Sequence, residues 1–212
     1  MSKPAIFSIK FSRSKLIAAL GLITVTATTW ANGAAAIEPG FTPKLQGVFG
    51  LGLTVGGDTL ARFTMTDGST SSLTAGGLFH VYGGGRYQFH PHGAIQATLG
   101  YQASDVTASN GSASFSRFPF EVIGQYRANE KIQLGGGLRL ATGASFSTSG
   151  AASNMTGPNT SLTANLGTVL EGDYFYAEKG SFALRFVSES FKGPYGQTIN
   201  GSHVGLYLKG LF

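Results

Sequence analysis

The sequence predicts an all-β fold, an eight-stranded antiparallel transmembrane β-barrel of up-and-down topology. Three observations predict it. Eight segments alternate with a period of two, which is the period of a β-strand. Their charges lie almost entirely on one face, and Leu, Phe, Val and Tyr occupy the other. No stretch approaches the roughly 20 apolar residues that a membrane-spanning helix needs.

Residues 1–36 are typical of a secretory signal peptide. An apolar run over residues 16–25 is followed by three alanines at 34–36, which offer a small-residue cleavage site. We therefore predict a signal peptide over 1–36 and a barrel domain over 37–212. The charges of the signal segment are all basic: Lys3, Lys10, Arg13 and Lys15.

Removing the signal segment leaves 11 basic and 10 acidic residues, because it holds four of the 15 basic residues and none of the 10 acidic ones. The remaining chain is nearly neutral and lacks the basic surface that nucleic acid requires, so no nucleic-acid partner is expected. The chain has no cysteine, which rules out a disulfide scaffold.

The first two predicted strands are joined by a protruding hairpin. Asp67-Gly68 lies between alternating stretches and is a strong hairpin signal. Gly56-Gly57-Asp58 predicts a bulge or bend where the hairpin leaves the barrel. The flanking strands are predicted over Leu45–Val55 and Gly77–Phe89.

The later strands follow in order, separated alternately by short turns and by longer loops. The loops are predicted over Ser104–Ser114, Gly143–Thr160 and Lys192–Gly201, and a bulge is expected near Val187–Ser190. In strand six, the outward face is predicted to include Leu162, Ala164 and Leu166. The predicted strands are Ala94–Ala103, Ser116–Arg127, Ile132–Ala141, Leu162–Tyr176, a seventh around Phe182–Phe186, and His203–Phe212.

Charges on the inward face should pair, because an isolated buried charge is costly. Keeping the inward faces odd-numbered across the turn at 129–131 places Glu121 opposite Arg139. The same argument across the turn near Glu178 places Glu171 opposite Arg185. Directly opposite side chains lie about 5 Å apart at Cβ, so two ion pairs are predicted inside the barrel. The other predicted inward polar residues are His80, Arg86, Arg117, Arg127, Asp173, Glu189 and Lys209.

No motif in the chain predicts catalysis, a cofactor or a metal site. His90 and His92 flank a proline in a tight turn, but zinc normally takes three or four protein ligands. Ser202 and His203 are adjacent, so strand geometry points them to opposite faces, and the histidine cannot act as the general base that would activate the serine. No enzymatic activity is therefore expected.

The stretches GGDTL, TDGS, RYQF, ASNGSASFSRFPFEVI and NGSHVGLYLKGLF, together with eight strands and a terminal phenylalanine, resemble small outer-membrane barrels of the OmpA or opacity-protein type. The resemblance implies the outer membrane of a Gram-negative cell, with outer-membrane lipid and lipopolysaccharide around the barrel. It also implies insertion by the barrel assembly machinery, with Phe212 as the assembly signal.

We expect a structural or surface-interaction role, exercised through the extracellular loops. Loops on a rigid scaffold are where binding usually resides. An open general pore is not expected, since side chains can fill an eight-stranded interior. The alternatives are a narrow channel or carrier for small or apolar solutes and a lipid A-modifying enzyme.

Overall fold

The computed structural model describes residues 41–64, 70–108, 111–150 and 159–212. No helix in these ranges is long and apolar enough to cross a membrane. The predicted signal peptide and the Asp67-Gly68 turn lie outside the described residues. The strands are β1 (Lys44–Gly56), β2 (Thr59–Thr64), β3 (Thr70–Thr74), β4 (Phe79–Gln88), β5 (Gly93–Ala108), β6 (Gly111–Arg127), β7 (Ile132–Gly150), β8 (Asn159–Ala164), β9 (Gly167–Ala177), β10 (Gly180–Ser188), β11 (Ser190–Lys192), β12 (Thr198–Asn200) and β13 (His203–Leu211).

Eight of these strands form a closed antiparallel barrel, which confirms the predicted fold class. They follow one another around the ring as β1, β4, β5, β6, β7, β9, β10 and β13, so the topology is up-and-down. The ring closes where β13 pairs with β1, from Val48 opposite Leu211 to Gly56 opposite His203. The two chain ends of the barrel therefore meet at one rim, which we call the short-turn end; the opposite rim is the distal end.

The two faces of the barrel wall have opposite chemistry. Leu53, Leu99 and Leu170 are exposed on the outer face, whereas Arg139 and Arg185 are fully buried inside. An apolar exterior around an ionised interior is favourable in lipid and unfavourable in water. The apolar face of β1 spans ten residue steps from Leu45 to Val55. At about 3.3 Å per residue and a tilt of about 40°, it is about 25 Å tall, the height of a transmembrane belt.

Aromatic side chains lie on the outer face near the short-turn end. Such a girdle marks the level where lipid meets water. Tyr176 and Phe182 pack together there, with ring centroids 5.0 Å apart. All members are exposed: Tyr87, Phe89, Tyr126, Tyr174, Tyr176, Phe182 and Phe212.

The predicted hairpin between the first two barrel strands is present. Strands β2 and β3 pair antiparallel, with Arg62 opposite Ser72. Gly56 and Gly57 adopt φ values of +130° and +77°, which side chains other than glycine rarely tolerate. These two glycines redirect the chain out of β1, so the bend falls where the Gly-Gly-Asp sequence predicts it.

The predicted loop over Ser104–Ser114 is wrong for the residues that the structure describes, 104–108 and 111–114. Strands β5 and β6 remain paired past the lipid belt, from Ser104 opposite Phe115 to Ala108 opposite Gly111. Serine is a poor strand former, which is why this stretch is typical of a loop. The strands persist because Ala113 and Phe115 are buried in an apolar core on their inner face.

The predicted loop over Gly143–Thr160 is also wrong for its described parts. Strand β7 continues to Gly150, and Gly143 is a bulge within it at φ +60°. The register passes from Thr142 opposite Phe118 to Ser145 opposite Ser116. The inserted residue reverses which positions face inward, so Ala144 and Phe146 are buried.

The sixth predicted strand is two strands in the structure. It breaks at residues 165–166, and β8 continues the wall beyond β9, paired with β7 on one side and with β11 on the other. The break reverses the alternation, so Leu162 and Ala164 are buried, contrary to the prediction, whereas Leu166 is exposed as predicted. The irregularity expected near Val187–Ser190 is an interruption between β10 and β11 at Glu189.

Beyond the lipid belt these strands enclose a second, apolar interior. We call this part the distal extension: the β2–β3 hairpin, Ser104–Ala108, Gly111–Ser116, Ala144–Gly150 and strands β8, β11 and β12. Phe115 and Phe191 meet edge to face at its centre, with centroids 5.6 Å apart. The buried members of the core are Leu73, Ala75, Ala113, Phe115, Ala141, Ala144, Phe146, Leu162, Ala164 and Phe191.

Candidate functional site

The barrel lumen contains a continuous chain of alternating charges along its length. Each carboxylate contacts at least one cationic group, so no ionised member is isolated. Four cations balance four anions. In order from the distal end they are Arg117, Glu189, Arg139, Glu121, Arg185, Glu171, Lys209 and Asp173.

Glu121 lies at the centre of this chain. Its Oε1 accepts from Nη1 of Arg139 at 2.5 Å, and its Oε2 accepts from Nη1 of Arg185 at 2.9 Å. Glu121 and Arg139 are Cα partners on β6 and β7, the opposition that the sequence predicts. One carboxylate therefore ties three barrel strands, because Arg185 lies on β10.

Glu171 organises the end of the chain nearest the short turns. It accepts from Nε of Arg185, its Cα partner across β9 and β10. It also accepts from Nζ of Lys209 at 2.8 Å, and Lys209 reaches Asp173 at 2.6 Å. Asp173 in turn accepts from the Ser181 hydroxyl at 3.3 Å. The sequence predicts all four charged residues to face inward, and the structure brings them together.

Glu189 and Arg117 form the distal end of the chain. Glu189 bridges Arg117 at 2.7 Å and Arg139 at 2.9 Å. The Arg117 guanidinium also donates to the backbone carbonyls of Ala75 and Gly76, which follow β3. Arg117 thereby holds the segment after the β2–β3 hairpin across the distal mouth of the lumen.

Arg86 is a buried cation with glutamine partners in place of a carboxylate. Its guanidinium donates to the amide oxygens of Gln125 at 2.9 Å, Gln46 at 2.7 Å and Gln133 at 3.1 Å. These three residues lie on three different strands, β6, β1 and β7. Gln88 is a fourth, more distant acceptor at 3.3 Å. The sequence marks Arg86 as inward but does not show that glutamines surround it.

Arg127 differs from the other predicted lumen residues. It lies half-buried at the short-turn mouth, with its guanidinium 4.4 Å from the centre of the Phe175 ring. It donates to the backbone carbonyl of Glu130 at 2.8 Å, and this hydrogen bond is exposed to solvent. Arg127 therefore belongs to the rim of the barrel, outside the alternating chain of charges.

His80 belongs to an aromatic cluster beside Arg185. Its Nδ1 lies 2.9 Å from the Tyr207 hydroxyl, and the Arg185 guanidinium stacks on both Tyr82 and Tyr207, 4.3 and 4.8 Å from their ring centres. His80 Nε2, Tyr82 Oη and Arg185 Nη2 are buried without a hydrogen-bond partner. The cluster fills the cross-section of the lumen on the β4 and β13 side.

The chemistry available to this interior is structural cross-linking. In the described ranges no group of three or more His, Cys, Asp and Glu side chains is placed to hold a metal ion. His80 is paired with a tyrosine, and His203 Nδ1 lies 2.8 Å from the Gly201 carbonyl. Glutamines on four strands also join the network, and sequence reasoning did not predict their contacts: Gln46 on β1, Gln102 on β5, Gln125 on β6 and Gln133 on β7. Their inward parity is the signal that could have found them.

Comparisons with known proteins give structural likeness at low sequence identity. No protein-family model matches the chain, and no curated protein matches it. The crystal structure of Ail, the attachment invasion locus protein of Yersinia pestis, in complex with the heparin analogue sucrose octasulfate is 13% identical, covers 80% of this chain and 99% of Ail, and has a TM-score of 0.47. Ail in a phospholipid bilayer nanodisc is 13% identical, with 80% and 100% coverage and a TM-score of 0.35. The outer membrane channel DcaP of Acinetobacter baumannii is 10% identical, with 84% and 56% coverage and a TM-score of 0.32.

Proposed function

We propose that this protein is an outer-membrane barrel with a closed lumen, whose role is structural or surface-interacting and is exercised by the distal extension. The observation that carries the proposal is the length of the wall strands. Strand β7 has 19 residues and β6 has 17, whereas a tilted transmembrane strand needs about 10. The surplus builds a folded platform with its own core beyond the lipid belt, and a rigid platform is what a binding surface requires.

The filled lumen supports a role other than general permeation. Arg117, Arg139 and Arg185 are essentially inaccessible to solvent, and each is held by at least one carboxylate. Opening a pore would separate paired charges within a low-dielectric interior, and losing one partner of a buried pair costs about 3–5 kcal/mol. The lumen is better suited to fixing the shape of the barrel than to passing solutes.

The orientation follows from the ends of the barrel. Short turns and both chain ends of single-chain outer-membrane barrels face the periplasm. The distal extension then faces outward, among lipopolysaccharide and any external ligand. Phe212 fits a role as the signal for the barrel assembly machinery. Its backbone closes the seam with Gly47 through hydrogen bonds of 2.8 and 3.0 Å, while its ring is 74% exposed toward lipid.

The test is to remove the distal extension and keep the barrel. Short turns replace residues 57–76, 104–115, 144–164 and 190–200 in the full chain, and a matched control replaces the turn at residues 128–131. We expect cells that display the trimmed barrel to lose adhesion or detergent resistance relative to the intact chain, with the control unchanged. Unaltered surface behaviour in a trimmed barrel that still folds would contradict the proposal.

A narrow channel is the second candidate, and the unpaired atoms of the aromatic cluster favour it. His80 Nε2, Tyr82 Oη and Arg185 Nη2 offer hydrogen bonds that water in the lumen would accept or donate. Planar-bilayer recordings of the reconstituted chain separate the two candidates. Steady unitary currents that change in Arg185→Gln would favour the channel, and silent bilayers would favour the closed scaffold.

A further inference from the structure

The outward face of the distal extension carries a ladder of serines. Strands β6 and β7 place them directly opposite one another in three rows: Ser112 with Ser149, Ser114 with Ser147, and Ser116 with Ser145. We call these six residues the serine ladder. The hydroxyls of the first row lie 2.8 Å apart. Strand β8 widens the last row, because Ser161 pairs with Ser145.

Strand stability does not explain the choice of serine at these positions. The inner face of the same strands supplies the packing, through Ala113, Phe115 and Phe146. Solvated strand positions usually carry β-branched residues or charges, and serine has little strand propensity. The ladder itself holds no charge; the nearest outward-facing charge on β5 is Asp105, the partner of Ser114. A patch that is polar, uncharged and regular suggests a partner with the same properties.

The serine ladder faces sideways, away from the barrel axis, and it continues the lipid-facing surface upward. The outward residue that follows Ser116 on β6 is Phe118, which packs on Tyr101 with centroids 5.3 Å apart. Both rings are exposed at the distal edge of the apolar belt. The ladder therefore starts where the acyl chains end. What surrounds the barrel laterally at that level is the head of the outer-leaflet lipid.

We propose that the serine ladder binds the core sugars of the surrounding lipopolysaccharide. The inference rests on the proposed outward orientation of the distal extension. Each hydroxyl is both donor and acceptor, as is each sugar hydroxyl, so the two arrays can exchange hydrogen bonds in either direction. Rows about 7 Å apart along the strands and about 5 Å across them offer repeated contacts to successive sugar rings. None of the β5 partners beside the ladder, Ala103, Asp105 and Thr107, is basic, which favours neutral sugars over phosphate groups as the recognised part.

The test compares two forms of lipopolysaccharide on the refolded full chain in detergent micelles, with binding measured by native mass spectrometry. One form carries the complete core saccharide, and the other is truncated to lipid A with its first sugars. We expect the wild-type chain to bind the complete form about tenfold more tightly, because several neutral hydrogen bonds each contribute a few-fold. The variant Ser112→Ala/Ser114→Ala/Ser116→Ala should reduce that preference to about twofold or less.

Two controls keep the result interpretable. Thr70→Ala/Ser71→Ala/Ser72→Ala removes three hydroxyls from β3, outside the ladder, and should keep the wild-type preference. Replacing the three β6 serines by threonine keeps the hydroxyls and should also keep it. Heat-modifiable migration on gels establishes that each variant is folded.

Three outcomes would overturn the proposal. The first is equal binding of the two forms by the wild-type chain, and the second is an undiminished preference for the complete form in the alanine variant. The third is a dimer that only the alanine variant loses, which would assign the ladder to contact with a second copy of the chain. Failure of the closed-scaffold function would be seen separately, as unitary currents or as unaltered surface behaviour of the trimmed barrel.

Discussion

Replacing Glu121 by glutamine removes one charge from the centre of the lumen and leaves the side-chain shape nearly unchanged. Glu121 is 1% exposed and accepts from both Arg139 and Arg185. The amide introduced in its place keeps one acceptor oxygen, but the new NH₂ group then faces a guanidinium donor. Arg139 keeps Glu189 and Arg185 keeps Glu171, but the two arginines lose the carboxylate between them, and the chain of charges gains a net positive charge.

The magnitude follows from the loss of a partner in buried pairs. Breaking a buried ion pair on one side costs about 3–5 kcal/mol, because an uncompensated charge remains. Glu121 serves two pairs, but the retained oxygen and the carboxylates that still contact each arginine, Glu189 and Glu171, offset part of the loss. We therefore expect Glu121→Gln to lower the free energy of unfolding by about 3 kcal/mol. Glu130→Gln, at an exposed turn position, should change it by less than about 0.5 kcal/mol.

The assay is reversible urea unfolding in phospholipid vesicles, followed by far-ultraviolet circular dichroism and by the fraction that migrates as folded barrel on gels. Tryptophan fluorescence does not serve, because the single tryptophan, Trp30, lies within the predicted signal peptide. A double-mutant cycle with Arg139→Gln isolates the coupling within the Glu121–Arg139 pair. A Glu121→Gln variant as stable as the Glu130→Gln control would refute the view that the charge chain stabilises the barrel.

Two further predictions concern the barrel wall. A Cβ added at Gly137 would overlap the carbonyl oxygen of Val122 on the neighbouring strand, so Gly137→Ala should destabilise the barrel by about 1–3 kcal/mol. A Cβ added at Gly136 would meet its nearest neighbour at 3.6 Å, so Gly136→Ala should change the urea midpoint little. Equal midpoints for the two variants would contradict the close approach of the strands at Gly137. Phe212→Ala should refold in vesicles nearly as well as the wild type but should reach the outer membrane of cells in less than half the wild-type amount. Leu208→Ala, on the same face, should reach the outer membrane in the wild-type amount. Comparable amounts of the two variants in isolated outer membranes would contradict the assembly-signal role of Phe212.

The eight wall strands and the opposition of Glu121 and Arg139 were predictable because both depend on local rules. Period-two alternation identifies a strand, and parity across a short turn fixes which residues stand opposite. The turn at residues 128–131 leaves little freedom in the register. The same rules identify His203–Leu211 as a closing strand with Lys209 inside the barrel.

The distal extension was not predictable from the same rules because short irregularities reverse the alternation and remote contacts fix the strands. Gly143 is typical of a loop, yet as a bulge it lets β7 continue and exchanges its inner and outer faces. The break at residues 165–166 likewise exchanges the inner and outer faces between β8 and β9. Neither event changes composition in a way that a local pattern detects. The ion pair of Arg117 with Glu189 also joins segments more than 70 residues apart, with no short turn to fix the register.

The distribution of polar and apolar residues reverses at a single level of the wall, and this reversal follows from the surroundings. On β6, Glu121 faces inward and Phe120 outward within the lipid belt, whereas Phe115 faces inward and Ser114 outward beyond it. Lipid demands an apolar exterior and leaves the interior to charge; water demands the opposite. Arg117 lies at the boundary between the ionised lumen and the apolar core of the distal extension, and it makes favourable contacts with both. Its charge meets Glu189 within the ionised lumen, and its Cζ lies 5.1 and 5.3 Å from the ring centres of Phe115 and Phe191 in the apolar core. A side chain that is both ionic and able to stack on aromatic rings is what joining the two interiors requires, and arginine offers both.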